Sequence, residues 1–402
     1  MRVPLASSGL RDSDIAAVIQ VLKSGNLTMG DEVKKFEKKM TDYLKVKHFV
    51  MVNSGSSANL LMIEALMRPA RSKPSLNPGD SILVPAIAWP TTIWPLIQLG
   101  LNPLFVDIDP GTLAIDLVAA QNLIDTSRIP VKGIFPIHPL GRAIPPSKLS
   151  DFANKNELVL INDVCESLGS WSEGAHAGTV GTAGSFSFYF SHHITTMEGG
   201  GIGTNDDDFA DDLRSMRSHG WSRDRNDVLS WTEHKSTNDS KFLFVSTGYN
   251  VRPMEIQAAI GSGQIDAIES FIERRREIAT RIEKSLERTN LELIGADTLK
   301  LDSASNSWML LPIRVMGEDA TARKLKILNR LESLEIETRP ILTGNFLAQP
   351  AIQRITRHAV DPDKFIQANK ISNEAFMVGA HHDLTEEQIE FLCSALAEVG
   401  SL

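Results

Sequence analysis

Ser185-Phe186-Ser187-Phe188-Tyr189-Phe190-Ser191-His192-His193-Ile194-Thr195-Thr196-Met197-Glu198-Gly199-Gly200 is the stretch that decides how this chain is read. Residues 186–190 form a short apolar run of the kind that fills a buried strand, and the chain passes from it directly into a loop with two histidines, three hydroxyls and a Gly pair. In α/β sheets ligands sit beyond the carboxyl ends of the strands, so a polar loop that follows a strand is where chemistry is expected. A histidine in a loop is most often structural, yet imidazole, with an ordinary pKa near 6.5, is also the side chain suited to carrying protons at neutral pH.

Working outward, similar apolar runs recur at residues 49–52, 82–84, 104–106, 133–137 and 158–161, mostly separated by helical stretches. That alternation predicts an α/β fold with a mainly parallel sheet flanked by helices. Residues 81–106 carry no charge, which on hydropathy alone would suit a membrane span, but Pro85, Pro90, Pro95 and Pro103 favour a buried strand, a loop with a short helix, and a second buried strand. Helical periodicity covers residues 14–23 and stops at Gly25, and a second amphipathic run places Val33, Phe36, Met40, Tyr43 and Leu44 on one face. Residues 253–287 read as one long helical region leading out of the large domain. Beyond it, a strand-like 307–315, a helix near 322–334 and a closing helix from Thr385 predict a smaller α+β domain. With 402 residues, more than one core normally holds, the expected division is a large domain over 1–262 and a small C-terminal domain over 263–402.

The formal charge of −9 argues against nucleic acid or an anionic membrane as the main partner, since both require a clustered positive surface. Cys165 and Cys393 are too few for a disulfide framework and fall short of the four thiolates of an iron–sulfur cluster. The amino terminus shows no signal-peptide pattern, and a cytoplasmic location is expected.

Two more loops carry candidate chemistry. Asn53-Ser54-Gly55-Ser56-Ser57-Ala58-Asn59 follows the run at 49–52 and enters a helix, where free amides and hydroxyls form either an anion site or an ordinary cap. Asn162-Asp163-Val164-Cys165-Glu166 places an acid at the end of the run at 158–161; such an acid is a plain helix cap or the partner of a pyridinium nitrogen.

The segment at 185–200 resembles the active-site segment of the DegT/DnrJ/EryC1/StrS sugar aminotransferases, fold type I enzymes of pyridoxal 5'-phosphate (PLP), in which a lysine precedes a short Ile/Leu-Thr-Thr stretch and Glu-Gly-Gly. The resemblance runs over nearly the whole chain and implies their architecture: a mixed sheet of the seven-stranded type in the large domain and a smaller C-terminal α+β domain. Here the lysine position is His192, and no lysine occurs from Asn156 to His234. An ε-amine bonds covalently to the cofactor aldehyde, whereas imidazole forms no stable imine but does move protons. PLP should then sit non-covalently, and its aminated form, pyridoxamine 5'-phosphate (PMP), can accumulate.

Residue by residue, the resemblance implies that Ser56, Ser57 and Ser187 meet the cofactor phosphate, Trp89 covers the pyridine face, Asp163 pairs with the pyridine nitrogen and Glu166 stands near the ring hydroxyl. Asn250 would reach the phosphate from the other subunit, which implies a homodimer with shared active sites. Histidine replaces the lysine in a branch of 3-dehydratases of 3,6-dideoxysugar synthesis. One kind carries an iron–sulfur cluster; the other acts on a GDP-linked 4-keto-6-deoxyhexose with L-glutamate and no metal. The segment around His219 has no cysteine, so the second kind is expected, with His192 as the catalytic base and His219, Arg339 and Asn345 as contacts for the nucleotide-sugar substrate. Two rivals remain: an aminotransferase using a distant lysine, and a non-catalytic subunit that pairs with an active homologue.

Overall fold

The computed structural model describes residues 1–70, 75–126, 129–231, 242–301, 305–355 and 360–401. In chain order the first strands are β1 (His48–Val52), β2 (Ser81–Pro85), β3 (Asn102–Val106), β4 (Val131–Ile134), β5 (Val159–Asp163), β6 (Trp171–Ser172), β7 (Ala175–His176), β8 (Ala183–Ser187) and β9 (Gly200–Thr204). Seven of them form one sheet in the order β1-β9-β8-β5-β4-β2-β3; β6 and β7 pair separately as a small hairpin. From β8 to β3 every neighbour is parallel, while β9 is antiparallel to both β1 and β8. The strands are almost wholly buried because helices cover both faces, which is why they read as continuous apolar runs.

Residues 81–106 fold as expected: β2, the helix Pro90–Gln98, and β3 parallel to β2. Two other expectations are corrected, and one strand was missed. The strand expected at 186–190 is Ala183–Ser187, and Phe188–Phe190 already belong to the loop, because the Phe188 amide turns to the Gly199 carbonyl at 2.9 Å and the Thr196 amide donates back to the Phe188 carbonyl at 2.9 Å. Strand β9 was not legible, since Gly-Gly-Ile-Gly-Thr has little strand propensity. Those small residues are required by packing: a Cβ on Gly200 would lie 2.4 Å from the Ser54 carbonyl carbon and 2.5 Å from the Gly55 nitrogen. The long helical region at 253–287 is two helices, Glu255–Asp266 and Ile268–Leu286, broken at Ala267.

That break lets the chain serve two cores. Ala258 and Ile265 pack with Val33, Phe36 and Met40 against the large sheet. The second helix begins in the same core with Ile268, Phe271 and Ile272, then crosses to a second core with Ile278, Ala279, Ile282 and Leu286. The second core is closed by β10 (Leu291–Leu293), β11 (Leu310–Val315), β12 (Thr338–Arg339) and β13 (Ala375–Gly379), in the order β10-β11-β13-β12, and by the helices Ala320–Ser333 and Glu386–Val399. Val3 also packs there and pairs with Ile336, and Arg2 pairs with Glu337 at 2.6 Å, so the amino terminus lies with the C-terminal elements.

Adding a methyl at Gly200 should cost about 1–3 kcal/mol, the usual range for overpacking a filled site. Gly200→Ala is expected to lower the urea midpoint; an unchanged midpoint would mean that the β9 contact with Ser54 is not tight.

Candidate active site

Because β9 is antiparallel to both neighbours, β1, β8 and β5 run in the same direction and release their following loops at one edge. At the end of β1, Ser54 caps the helix Gly55–Met67: its hydroxyl oxygen accepts from the Ser57 amide at 3.1 Å, and its hydroxyl lies 3.0 Å from the Ser57 hydroxyl. Ser56 is exposed and Ser57 half-buried on the first turn, where unpaired amides and the positive end of the helix dipole favour an anion. Ser187, the last residue of β8, stands beside this turn; a Cβ on Gly55 would fall 2.5 Å from the Ser187 Cβ and 2.9 Å from its Oγ. Glycine at 55 is what brings hydroxyls from two strand ends to one cradle.

Asp163 closes β5 and is buried, so its charge requires donors. Oδ2 accepts from Asn59 Nδ2 at 2.8 Å and Thr92 Oγ1 at 2.7 Å, and Oδ1 accepts the Cys165 amide at 3.1 Å. A carboxylate held in this way suits a further charged N–H donor, such as a protonated pyridine nitrogen. Three residues later the half-buried Glu166 accepts the Leu140 amide at 3.1 Å, and burial, reinforced by the nearby Asp163, pushes its carboxyl up to about 7.

The loop after β8 is pinned from the helix Glu255–Asp266: Gln257 Nε2 donates to the Glu198 carbonyl, and the Thr195 amide donates to Gln264 Oε1 at 3.5 Å. The His192 amide donates to the Tyr189 carbonyl at 2.9 Å, and the two rings meet edge-on at 5.9 Å. His192 is half-buried, its Nδ1 has no partner, and burial, aided by the charge of Arg275, lowers its pKa to about 4. The side chain is therefore a neutral imidazole at pH 7 with a free ring nitrogen, the form required of a base. His193 is deeply buried against the Ser307 backbone, and burial depresses its proton affinity further.

Of the other expected residues, Trp89 precedes the helix Pro90–Gln98 and is 50% exposed, leaving an open indole surface. His219 and Asn250 lie on facing strands of an irregular ribbon, with Ser218 paired to Asn250 and the His219 amide on the Tyr249 carbonyl at 2.8 Å; both side chains are exposed. Among the described residues no hydrogen bond joins either to the Asp163 cradle. Arg339 is exposed on β12. Asn345 is buried, with Nδ2 on the Pro362 carbonyl at 3.1 Å and on Asn369 Oδ1 at 2.8 Å, and Oδ1 on the Leu347 amide at 3.1 Å; its amide group is committed inside the chain. Its segment is tied to the Trp89 loop through the Phe346 amide on the Ala86 carbonyl at 2.8 Å and Thr343 Oγ1 on the Ala88 carbonyl at 2.8 Å. Sequence reasoning missed Asn59 and Thr92 as the clamp on Asp163, because only the folded chain aims these helix residues at the carboxylate.

These features define a cofactor-binding α/β enzyme in which an acid, a hydroxyl-lined helix start and a neutral imidazole gather at one sheet edge. The chain matches the DegT/DnrJ/EryC1/StrS aminotransferase family over residues 9–397, and it belongs to that family. Its fold is the fold type I architecture expected from sequence. It is 36% identical over 395 residues to a GDP-4-keto-6-deoxy-D-mannose 3-dehydratase of Yersinia pseudotuberculosis, covering 98% of each chain. Among solved structures it resembles a histidine-to-asparagine variant of GDP-4-keto-6-deoxymannose-3-dehydratase with bound GDP-perosamine (34% identity, 98% of this chain and 100% of that one, TM-score 0.88). It likewise resembles a structure of that enzyme with a trapped PLP-glutamate geminal diamine (33% identity, 98% and 100% coverage, TM-score 0.86).

The raised Glu166 carboxyl makes a signed prediction. A carboxyl whose folded pKa lies above its unfolded value stabilises the protein at low pH and loses that contribution as pH rises from about 4.5 through about 7. Glutamine keeps an acceptor for the Leu140 amide without the charge, so Glu166→Gln in the cofactor-free protein should raise the melting temperature at pH 8 and leave it nearly unchanged at pH 4.5. Equal shifts at both pH values would contradict a buried, charge-averse Glu166.

Proposed function

We propose that this protein is a PLP/PMP-dependent 3-dehydratase that removes the C3 hydroxyl of a nucleotide-linked 4-keto-6-deoxyhexose, GDP-4-keto-6-deoxy-D-mannose, with L-glutamate as amino donor. The observation that carries this reading is His192: a neutral imidazole with an unpartnered ring nitrogen on the loop where the family places a lysine. The 36% identity to the Yersinia dehydratase, extending over both chains, supports the substrate class, and the PLP-glutamate adduct of the similar structure supports the donor.

When bound, the cofactor supplies an electron sink and a carrier for nitrogen. Ser56, Ser57 and Ser187 would hold its phosphate at the helix start, and Asp163, clamped by Asn59 and Thr92, would accept the pyridine N–H. Glu166 would face the ring hydroxyl, and Trp89 would cover the ring face. His192 accepts a proton at its free nitrogen during amino transfer from glutamate and again when the sugar loses its hydroxyl. His219 and Arg339 are the proposed contacts to the nucleotide sugar, with Asn345 bracing the segment that follows Arg339 and is tied to the Trp89 loop.

The reading includes a homodimer in which Asn250 completes the partner's phosphate site. Its support is the exposed apolar face of the first helix, Ile15, Ile19 and Leu22 at helical spacing, together with exposed Leu27 and Met254 and the exposed Asn250 itself. A cytoplasmic setting fits the two free cysteines.

Incubation with glutamate and a panel of GDP-, CDP- and dTDP-linked 4-keto-6-deoxyhexoses, followed by mass spectrometry, should yield a 3-deoxy product from the GDP sugar; an aminated sugar as sole product would overturn the dehydratase reading. His192→Asn should slow PMP formation from PLP and glutamate by about 10²–10⁴-fold while PLP still binds. Co-refolded His192→Asn and Asn250→Ala chains, each impaired alone, should recover activity in mixed dimers; no recovery would exclude shared sites.

A further inference from the structure

A histidine that works as a base needs its ring held still, because a neutral imidazole presents one lone pair and the torsion that turns the ring, χ2, is broad and nearly two-fold. Proteins commonly fix that torsion through a hydrogen bond to the other ring nitrogen. His138 and His176 are held in this way: His138 Nδ1 accepts the Ile144 amide at 3.0 Å while Nε2 meets Asn162 Oδ1 at 3.2 Å, and His176 Nε2 accepts the Gly169 amide at 2.8 Å while Nδ1 meets the Ala177 carbonyl at 2.7 Å. His192 is not. Among the described residues no hydrogen bond reaches its side chain, and its Nδ1 is buried without a partner.

What meets the His192 ring instead is Tyr189. The two residues close a turn in which the His192 amide donates to the Tyr189 carbonyl at 2.9 Å, and their ring centroids stand 5.9 Å apart with the planes at 81°. Tyr189 in turn meets Phe190 at 4.8 Å and 76°. Both pairs have the edge-to-face arrangement that aromatic rings prefer. The turn is rooted in the core by Phe188, which is wholly buried, with its amide on the Gly199 carbonyl and its carbonyl on the Thr196 amide, each at 2.9 Å. Tyr189 and Phe190 are 39% and 38% exposed, so they add less to the stability of the fold than core aromatics do, while their ring contacts fall on each other and on His192.

We propose that Tyr189 is the positioning residue for His192: its ring, braced by Phe190, does by packing what a hydrogen-bonded partner does for His138 and His176, and keeps the imidazole in one orientation. This rests on the reading of His192 as the base. A base transfers a proton only from within hydrogen-bond reach, so an imidazole free to swing about χ2 spends much of its time with its lone pair misdirected. Holding the ring by an aromatic contact leaves both nitrogens available, which a hydrogen-bonded partner would not.

The first measurement uses the full-length protein without cofactor, carbon-13 labelled at histidine rings, with the His192 signal identified by its loss in His192→Asn. Ring relaxation in the unaltered protein and in Tyr189→Phe should give order parameters near those of rigid backbone, about 0.8, and Tyr189→Ala should drop below about 0.6. The second follows PMP formation from PLP and glutamate: Tyr189→Ala should lower kcat about tenfold with the KM for glutamate and the affinity for PLP within twofold, and Tyr189→Phe should restore the rate. A mobile His192 ring in the unaltered protein overturns the proposal, even if Tyr189→Ala does not fold. So does a ring that stays rigid in Tyr189→Ala, a Tyr189→Phe as mobile as Tyr189→Ala, or a loss confined to KM, which would make Tyr189 a substrate contact. Failure of the unaltered protein to form PMP would count against the base assignment and leave the ring measurement standing on its own.

Discussion

The buried carboxylate of Asp163 is the point on which this edge of the sheet depends. An ionised side chain removed from water is tolerated only where donors replace its hydration, and those donors arrive from three separate turns: Asn59 after β1, Thr92 after β2, and the Cys165 amide after β5. Each donor fixes its own turn against the carboxylate. The Asn59 clamp holds the first turns of the helix Gly55–Met67, whose amides and serines form the anion cradle, and the Thr92 clamp fixes the helix that begins beside Trp89. Asp163 thus ties the helix that carries the cradle to the helix that begins beside the indole.

Around this acid the protein keeps its imidazoles neutral. Burial lowers His138 and His192 to about 4 and His176 to about 3, and the acid nearest Asp163, Glu166, is pushed in the neutral direction as well. A lysine at the His192 position would bring a strongly basic, nucleophilic amine; a neutral imidazole brings proton transfer without a covalent tether. The side chain at this position therefore decides which steps the pocket can perform.

Much of the large sheet was legible because parallel strands buried on both faces are continuous apolar runs, as at 49–52, 82–84 and 104–106. Where the pattern misled, packing had overruled local preference. The Phe188–Phe190 run is as apolar as a strand but turns into the loop that carries His192, since the Phe188 amide pairs with Gly199. Strand β9 is nearly all small residues because it passes against the Ser54–Gly55 backbone. The helical periodicity of 253–287 continues across Ala267 although the axis breaks there, because each half faces a different core.

The sequence alone determined the α/β class, the family and the acid at the end of β5, because these depend on residue identity and on local spacing. The tertiary structure decided what those residues can do. Asn59 and Thr92 converge on Asp163 only after three strands align, and Asn345 proves to be spent on internal hydrogen bonds. Those properties arise from burial and from contacts between residues distant in the chain, and burial is set by the neighbours that folding supplies.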